Sequence, residues 1–225
     1  MLELWQTCFE GMYDVGMIPL DLPTPWSPPV PLPSMFETER LTLRFWQPED
    51  AAGMFDAVEV DRPSFLPWLL WPRVDNRTVD ECRAAIERQR TKRERTEPVA
   101  DDFTIGIFDR STGAVVGGTG LHRVIHRAHE AEIGYWIRPD RRRNGLCAEA
   151  TAGLISWGFT AQSDGGWGLH RLHIRCAGSN QSSQRVPRKL NLREEARLVK
   201  ERWTEGYGWD DTLVWGVVRD EWPTR

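Results

Sequence analysis

The spacing of hydrophobic residues changes several times along the chain, and each change marks an expected element. Leu2, Trp5, Phe9 and Met12 recur at helical spacing. Prolines then crowd together, from Pro19 and Pro23 to Pro28-Pro29-Val30-Pro31-Leu32-Pro33. Such a run lacks backbone donors and favours extended chain. Residues 1–34 are therefore expected to form a proline-rich arm, either a strap on the body or a segment that reaches a partner. One domain is expected over residues 35–225. Alternation from Glu37 to Arg44 predicts its first strand. Pro48-Glu49-Asp50 opens a helix, with proline in the first turn and two acids at the positive end of the dipole. Thr78 and Glu81 have the spacing of a capping box ahead of a second helix. That helix puts Cys82, Ile86 and Gln89 on one face and ends in a solvated charge run, Arg88–Arg95.

Phe103–Phe108 and Ala114–Leu121 read as a hairpin that turns at Ser111-Thr112-Gly113. A strand at Glu130–Ile137, a long helix at Asn144–Thr160 and a strand at Leu172–Cys176 follow. A short helix between Asn180 and Leu190 and a last strand at Leu213–Val218 complete the series. Interleaved strands and helices of these lengths define an α/β domain.

Composition narrows the function classes. A 225-residue chain with 40% hydrophobic and 28% charged residues can bury one sizeable core. A net charge of −4 argues against a nucleic-acid partner. No stretch approaches the roughly eighteen apolar residues of a membrane helix, and no basic segment precedes the first apolar run. Four cysteines without paired spacing read as reduced thiols. A cytoplasmic protein with no membrane partner is expected. His122, His126 and His129 span a strand end and a loop, so no metal site is expected. The 12 tryptophans are assigned mainly to core packing.

The most informative stretch runs from Ala131 to Ala150, where a strand passes through Arg141-Arg142-Arg143-Asn144-Gly145 straight into a helix. Leu146, Ala150, Leu154 and Trp157 give that helix one apolar face. Its first turn presents free amides and a positive dipole end, which together suit a phosphate. The arginines add charge for a polyanion, and Gly145 allows close backbone approach.

This order resembles the GNAT family of N-acetyltransferases. Arg142-Arg143-Asn144-Gly145-Leu146-Cys147 is similar to the family's Q/R-x-x-G-x-G/A pyrophosphate loop, with Cys147 in place of the small last residue. Many relatives carry glycine where Arg143 stands. Asn180-Gln181-Ser182-Ser183-Gln184-Arg185-Val186-Pro187 resembles the N-x-x-S/A-x-x-V segment. Arg62-Pro63-Ser64-Phe65-Leu66-Pro67-Trp68-Leu69-Leu70-Trp71-Pro72 and the opening Glu37–Leu41 are similar to the RimJ/RimL branch, which acetylates protein N-terminal amines.

The resemblance implies a mixed, mostly antiparallel sheet flanked by helices, with splayed strands holding acetyl-CoA or another acyl-CoA. Coenzyme A contacts are then expected at Tyr135, Trp136, Ile137, Arg142, Arg143, Asn144, Gly145, Leu146, Cys147, Ala148, Asn180 and Ser183. Glu132 is the expected base and Ser183 the acid that protonates the leaving thiolate. The family's frequent tyrosine, seven positions after the asparagine, is Pro187 here. Pro187 cannot donate to the carbonyl of Ser183, so an irregular helix is expected there. Trp68, Trp71, Glu201 and Asp211 are the expected acceptor contacts, with Glu205 a rival. The acceptor is a primary amine, first a protein N-terminus and otherwise a small amine. A non-catalytic acyl-CoA-binding regulator and a homodimer remain open.

Overall fold

The computed structural model describes residues 23–223; the helix expected around Leu2–Met12 lies outside them. Eight strands form one sheet: β1 (Met35–Glu37), β2 (Leu41–Phe45), β3 (Phe103–Asp109), β4 (Val115–Ile125), β5 (Glu130–Ile137), β6 (Arg171–Ala177), β7 (Arg193–Thr204) and β8 (Gly208–Val218). Their order is β1-β2-β3-β4-β5-β6-β8-β7. Every pairing is antiparallel except β5 with β6. The helices are α1 (Ala51–Glu59), α2 (Trp71–Val74), α3 (Val79–Arg93), α4 (Leu146–Phe159) and α5 (Gln181–Lys189).

The expected first strand is two strands with a turn between them. Glu149, on α4, accepts from the Arg40 amide at 2.8 Å and from the Thr38 hydroxyl at 2.6 Å, and so fastens the turn. The carboxylate that breaks the strand lies more than a hundred residues away, so local alternation could not show it. The capping box at α3 is half formed. Thr78 accepts from the Glu81 amide at 3.1 Å, whereas the Glu81 carboxylate turns to the Arg77 amide at 2.8 Å. Strand β7 was not expected from the sequence. It is an edge strand with two register shifts, and its charged residues face water without clean alternation.

Two apolar layers sandwich the sheet. On one side Leu146, Ala150, Leu154 and Trp157 of α4 pack with Phe103, Ile133, Leu172 and Trp167. On the other, Met54 of α1 and Cys82 and Ile86 of α3 pack with Trp46, Phe108 and Val115. Trp46 and Trp167 are fully buried, which fits the core role assigned to most tryptophans. Residues 23–34 lie along the body. Trp26 sinks into the first layer, 4% exposed, and its Nε1 donates to the Trp167 carbonyl at 2.6 Å.

The two layers do not close the sheet everywhere. β5 and β6 pair over three positions, Glu130↔Arg171 to Glu132↔His173, and then part. From Ile133 onward β5 keeps its pairing with β4 while β6 stays with β8. This parting of two parallel strands positions the site.

Candidate active site

A cavity of about 1110 Å³ occupies the gap between β5 and β6. That is above the roughly 300–1,000 Å³ of ordinary small-ligand pockets, so the gap has room for an extended ligand. Its wall includes Glu132–Ile137 of β5, Ile174–Ala177 of β6 and Asn180–Ser183 at the start of α5. Side chains alternate along a strand. Tyr135 therefore joins the α4 layer, while Glu132 and Trp136 face the α1–α3 layer, and the cavity reaches residues of both faces.

One end of the cavity is cationic. Gly145 caps α4 at φ +78°, and the first helical bond, from the Glu149 amide to the Gly145 carbonyl at 3.0 Å, leaves the amides of Leu146, Cys147 and Ala148 ahead of it. Arg142 lies across the Phe65 ring, its guanidinium 4.8 Å from the centroid, and its Nε donates to the Ile137 carbonyl at 3.1 Å. Burial pushes its pKa down, although the nearby Asp61 carboxylate opposes this. Arg143 is exposed at φ +64°, a left-handed conformation that glycine adopts without strain. Arg141 also lines the cavity but pairs with Asp109. Asn144 lines a neighbouring hollow rather than the main cavity, and its Nδ2 donates to the Arg141 carbonyl at 3.3 Å.

Sequence reasoning missed two further cations on this wall, Arg185 and Lys189 of α5. A side chain built at Gly145 would come within 3.4 Å of Lys189 Nζ. Their spacing of four, on the helix that follows Asn180, was the available signal. Helix amides and four cations at one entrance make a setting suited to an anion. Gly145→Ala forces a side chain into left-handed backbone, at a cost of about 1–2 kcal/mol. The variant loop is expected to relax out of that conformation when free, so binding must restore it and coenzyme A affinity should fall about tenfold by calorimetry, each 1.4 kcal/mol being tenfold.

The middle of the cavity holds hydroxyls and thiols. Asn180 caps α5 by accepting the Ser183 amide at 3.0 Å. Ser183 Oγ donates to the Tyr135 hydroxyl at 3.1 Å, and that hydroxyl donates to the Ser183 carbonyl at 2.9 Å. α5 stays helical through Pro187, contrary to the irregularity expected, and the Tyr135 hydroxyl donates to the carbonyl that proline leaves without a helical donor. Burial pushes the Cys147 thiol up to about 12 and also raises Cys176, so both stay protonated at neutral pH.

The far end carries carboxylates. Glu132 Oε2 accepts from Arg123 at 2.8 Å and lies 3.7 Å from His173 Nε2. Burial raises the Glu132 pKa, but the neighbouring His173 and the Arg123 charge outweigh it and hold the group below the usual carboxylate range. Glu201 pairs with Arg175 at 2.8 Å and accepts from Thr212 at 2.5 Å, and that hydroxyl bond keeps its carboxyl low as well. Trp68 lines the mouth with its ring 5.4 Å from Tyr207, and Arg73 pairs with Glu205 across the same gap.

Two expected acceptor contacts lie elsewhere. Trp71 packs on Trp136, centroids 5.4 Å apart, as part of the hydrophobic layer rather than the cavity wall. Asp211 accepts from Arg197 Nε at 2.6 Å and from the Lys200 amide at 2.9 Å, holding the irregular stretch of β7. The three upstream histidines are also dispersed. His122 pairs with Asp102 at 2.9 Å, His126 meets the Trp26 ring, and His129 bonds the Thr24 carbonyl.

The sheet thus opens between two parallel strands, with a cationic helix entrance at one end of the gap. The family model "Acetyltransferase (GNAT) domain" matches residues 40–193. The chain belongs to the GNAT acetyltransferase family. It is 26% identical over 185 residues to the uncharacterized N-acetyltransferase YoaA of Bacillus subtilis (strain 168), covering 82% of this chain and 97% of YoaA. The fold matches ribosomal-protein-S5-alanine acetyltransferase from Vibrio fischeri with a TM-score of 0.69 at 20% identity, covering 84% of this chain and 99% of that one. It also matches RimL, a ribosomal L7/L12 alpha-N-protein acetyltransferase in complex with coenzyme A, with a TM-score of 0.70 at 17% identity over 82% and 98% of the two chains. No helix among the described residues is long and apolar enough to cross a membrane.

Proposed function

We propose that the protein transfers an acetyl group from acetyl-CoA to the α-amine of a polypeptide N-terminus. In this reading the diphosphate of coenzyme A sits at the entrance of α4, among Arg142, Arg143, Arg185 and Lys189. The pantetheine arm runs along the unpaired edge of Tyr135–Ile137 and brings the thioester to Ser183. Main-chain amides of that edge polarise the carbonyl. The neutral amine attacks it and a tetrahedral intermediate forms; Glu132, through water, takes the proton the nitrogen sheds, the thiolate leaves with the Ser183 hydroxyl hydrogen, which turns from Tyr135 to the sulfur, and solvent returns a proton to Ser183.

The acceptor reading rests chiefly on one observation, the mouth beyond Glu132. Trp68, Trp203 and Tyr207 line it, with Trp203 66% and Tyr207 58% exposed, and this broad aromatic rim suits a chain better than a small molecule. The chemistry agrees. Glu132 is ionised at neutral pH but is a weak base, and an α-amine with a pKa of about 8 needs far less help than a lysine at about 10.4. The RimL and Vibrio neighbours, named for ribosomal-protein substrates, support the same class.

The test uses acetyl-CoA with a panel of peptides carrying free or blocked α-amines, lysine-containing peptides and small polyamines, read by mass spectrometry. Acetylation confined to free α-amines is expected. Turnover of small amines alone, or of lysine side chains alone, would overturn the acceptor assignment.

A further inference from the structure

Pro187 and Tyr135 are far apart in sequence, yet they act on the same atom. In a regular helix the carbonyl of residue 183 would accept the amide of residue 187, and proline has no amide hydrogen. A carbonyl left unpaired inside the wall of a cavity is costly, and a helix interrupted there would move Ser183. α5 nevertheless runs unbroken from Gln181 to Lys189. The missing donor comes from the sheet, where the Tyr135 hydroxyl donates to the Ser183 carbonyl at 2.9 Å and accepts from Ser183 Oγ at 3.1 Å. Both partners of the phenol belong to one residue. The strand that carries it is held in register by the Thr119↔Tyr135 pair and by the Thr119 hydroxyl donating to the Gly134 carbonyl at 2.8 Å.

We propose that Tyr135 is a positioning residue that replaces, across the cleft, the helical hydrogen bond deleted by Pro187, and so fixes the backbone and hydroxyl of Ser183 relative to β5. This rests on the reading of Ser183 as the group that serves the departing thiolate. Burial, with the neighbouring Cys147, raises the phenol well above its ordinary pKa, so it remains a donor throughout the working pH range. The arrangement couples the helix to the strand that carries the thioester. Ser183 and the pantetheine edge then share one rigid frame, where a helical bond would tie Ser183 only to its own helix.

The test is a double-substitution cycle of Tyr135→Phe and Pro187→Ala, with kcat and KM for acetyl-CoA measured on the best acceptor of the peptide panel. Alanine at 187 restores the amide that can take over the Ser183 carbonyl. Tyr135→Phe is expected to lower kcat roughly tenfold in the parent, with KM for acetyl-CoA changed less than about twofold, and to cost less than about threefold when Pro187→Ala is present. An equal loss on both backgrounds would overturn the proposal, as would a rise in KM with kcat unchanged, which would assign the phenol to cofactor binding. Urea unfolding of the four proteins decides the coupling separately. The destabilisation caused by Tyr135→Phe should shrink by more than half beside Pro187→Ala, and an undiminished effect would refute the shared carbonyl. If no peptide is turned over, the functional reading fails on its own, while the unfolding cycle still tests the link between Tyr135 and Pro187.

Discussion

Replacing Ser183 by alanine is expected to lower kcat about a hundred-fold, the lower end of what general acids contribute, with coenzyme A affinity little changed. The modest figure follows from the leaving group. A thiol with a pKa of about 8.5 is a far better leaving group than an alkoxide, so proton donation assists its departure rather than permitting it. The placement of Ser183 supports the assignment. Its amide is capped by Asn180 and its carbonyl and hydroxyl are held by Tyr135, so the side chain does little to hold the helix. Removing Oγ should therefore leave α5 intact. The measurement is initial-rate kinetics by release of free thiol, alongside calorimetry with coenzyme A. A variant that keeps more than half the parental kcat would show that the thiolate leaves unassisted or takes its proton from elsewhere. A variant that loses coenzyme A binding would move Ser183 from the chemistry to the cofactor grip.

The elements around the site differ in how legible they were. Helix α4 and strand β5 announced themselves, because a strand runs through an arginine–glycine loop straight into an apolar stripe of period 3.6, and every determinant is local, between Glu130 and Trp157. Arg142 followed from that loop. The remaining determinants depend on contacts the chain makes only when folded. Arg185 and Lys189 join the anion site because α5 packs beside the α4 entrance, and the turn at Thr38–Arg40 exists because Glu149 reaches it from α4. Asp211 looked available as an acceptor contact because its partners, Arg197 and the Lys200 amide, lie on a strand whose alternation is broken. Pro187 shows both sides of the matter. The loss of a helical bond at Ser183 could be read from the sequence, whereas the residue that repairs it could not, since Tyr135 sits 48 positions away.

Trp26→Ala is expected to destabilise the fold by about 3–5 kcal/mol, the usual cost of truncating a buried tryptophan. The residue comes before the stretch that matches the family model, yet it is built into the core. Its ring packs at 6.2 Å from Phe103 and 6.4 Å from Trp167, and its amide donates to the His126 carbonyl at 2.8 Å. Truncation also removes the indole donor from the Trp167 carbonyl, which keeps only the longer bond from Gln162 Nε2 at 3.3 Å. Against a total stability of roughly 5–15 kcal/mol for a domain, the loss would lower the denaturation midpoint severely. Trp26→Phe separates the terms, because it keeps most of the ring and removes the indole donor. Its cost should be about 0.5–1.5 kcal/mol, the net worth of one hydrogen bond, because Gln162 still serves the Trp167 carbonyl. Trp26 lies outside the cavity wall, so coenzyme A affinity of the folded Phe variant should match the parent. A loss below about 1 kcal/mol for the alanine variant would mean that the segment rests on the surface without contributing to the core. The full loss would make residues 23–34 part of the folding unit, extending it beyond the boundary drawn by the proline pattern.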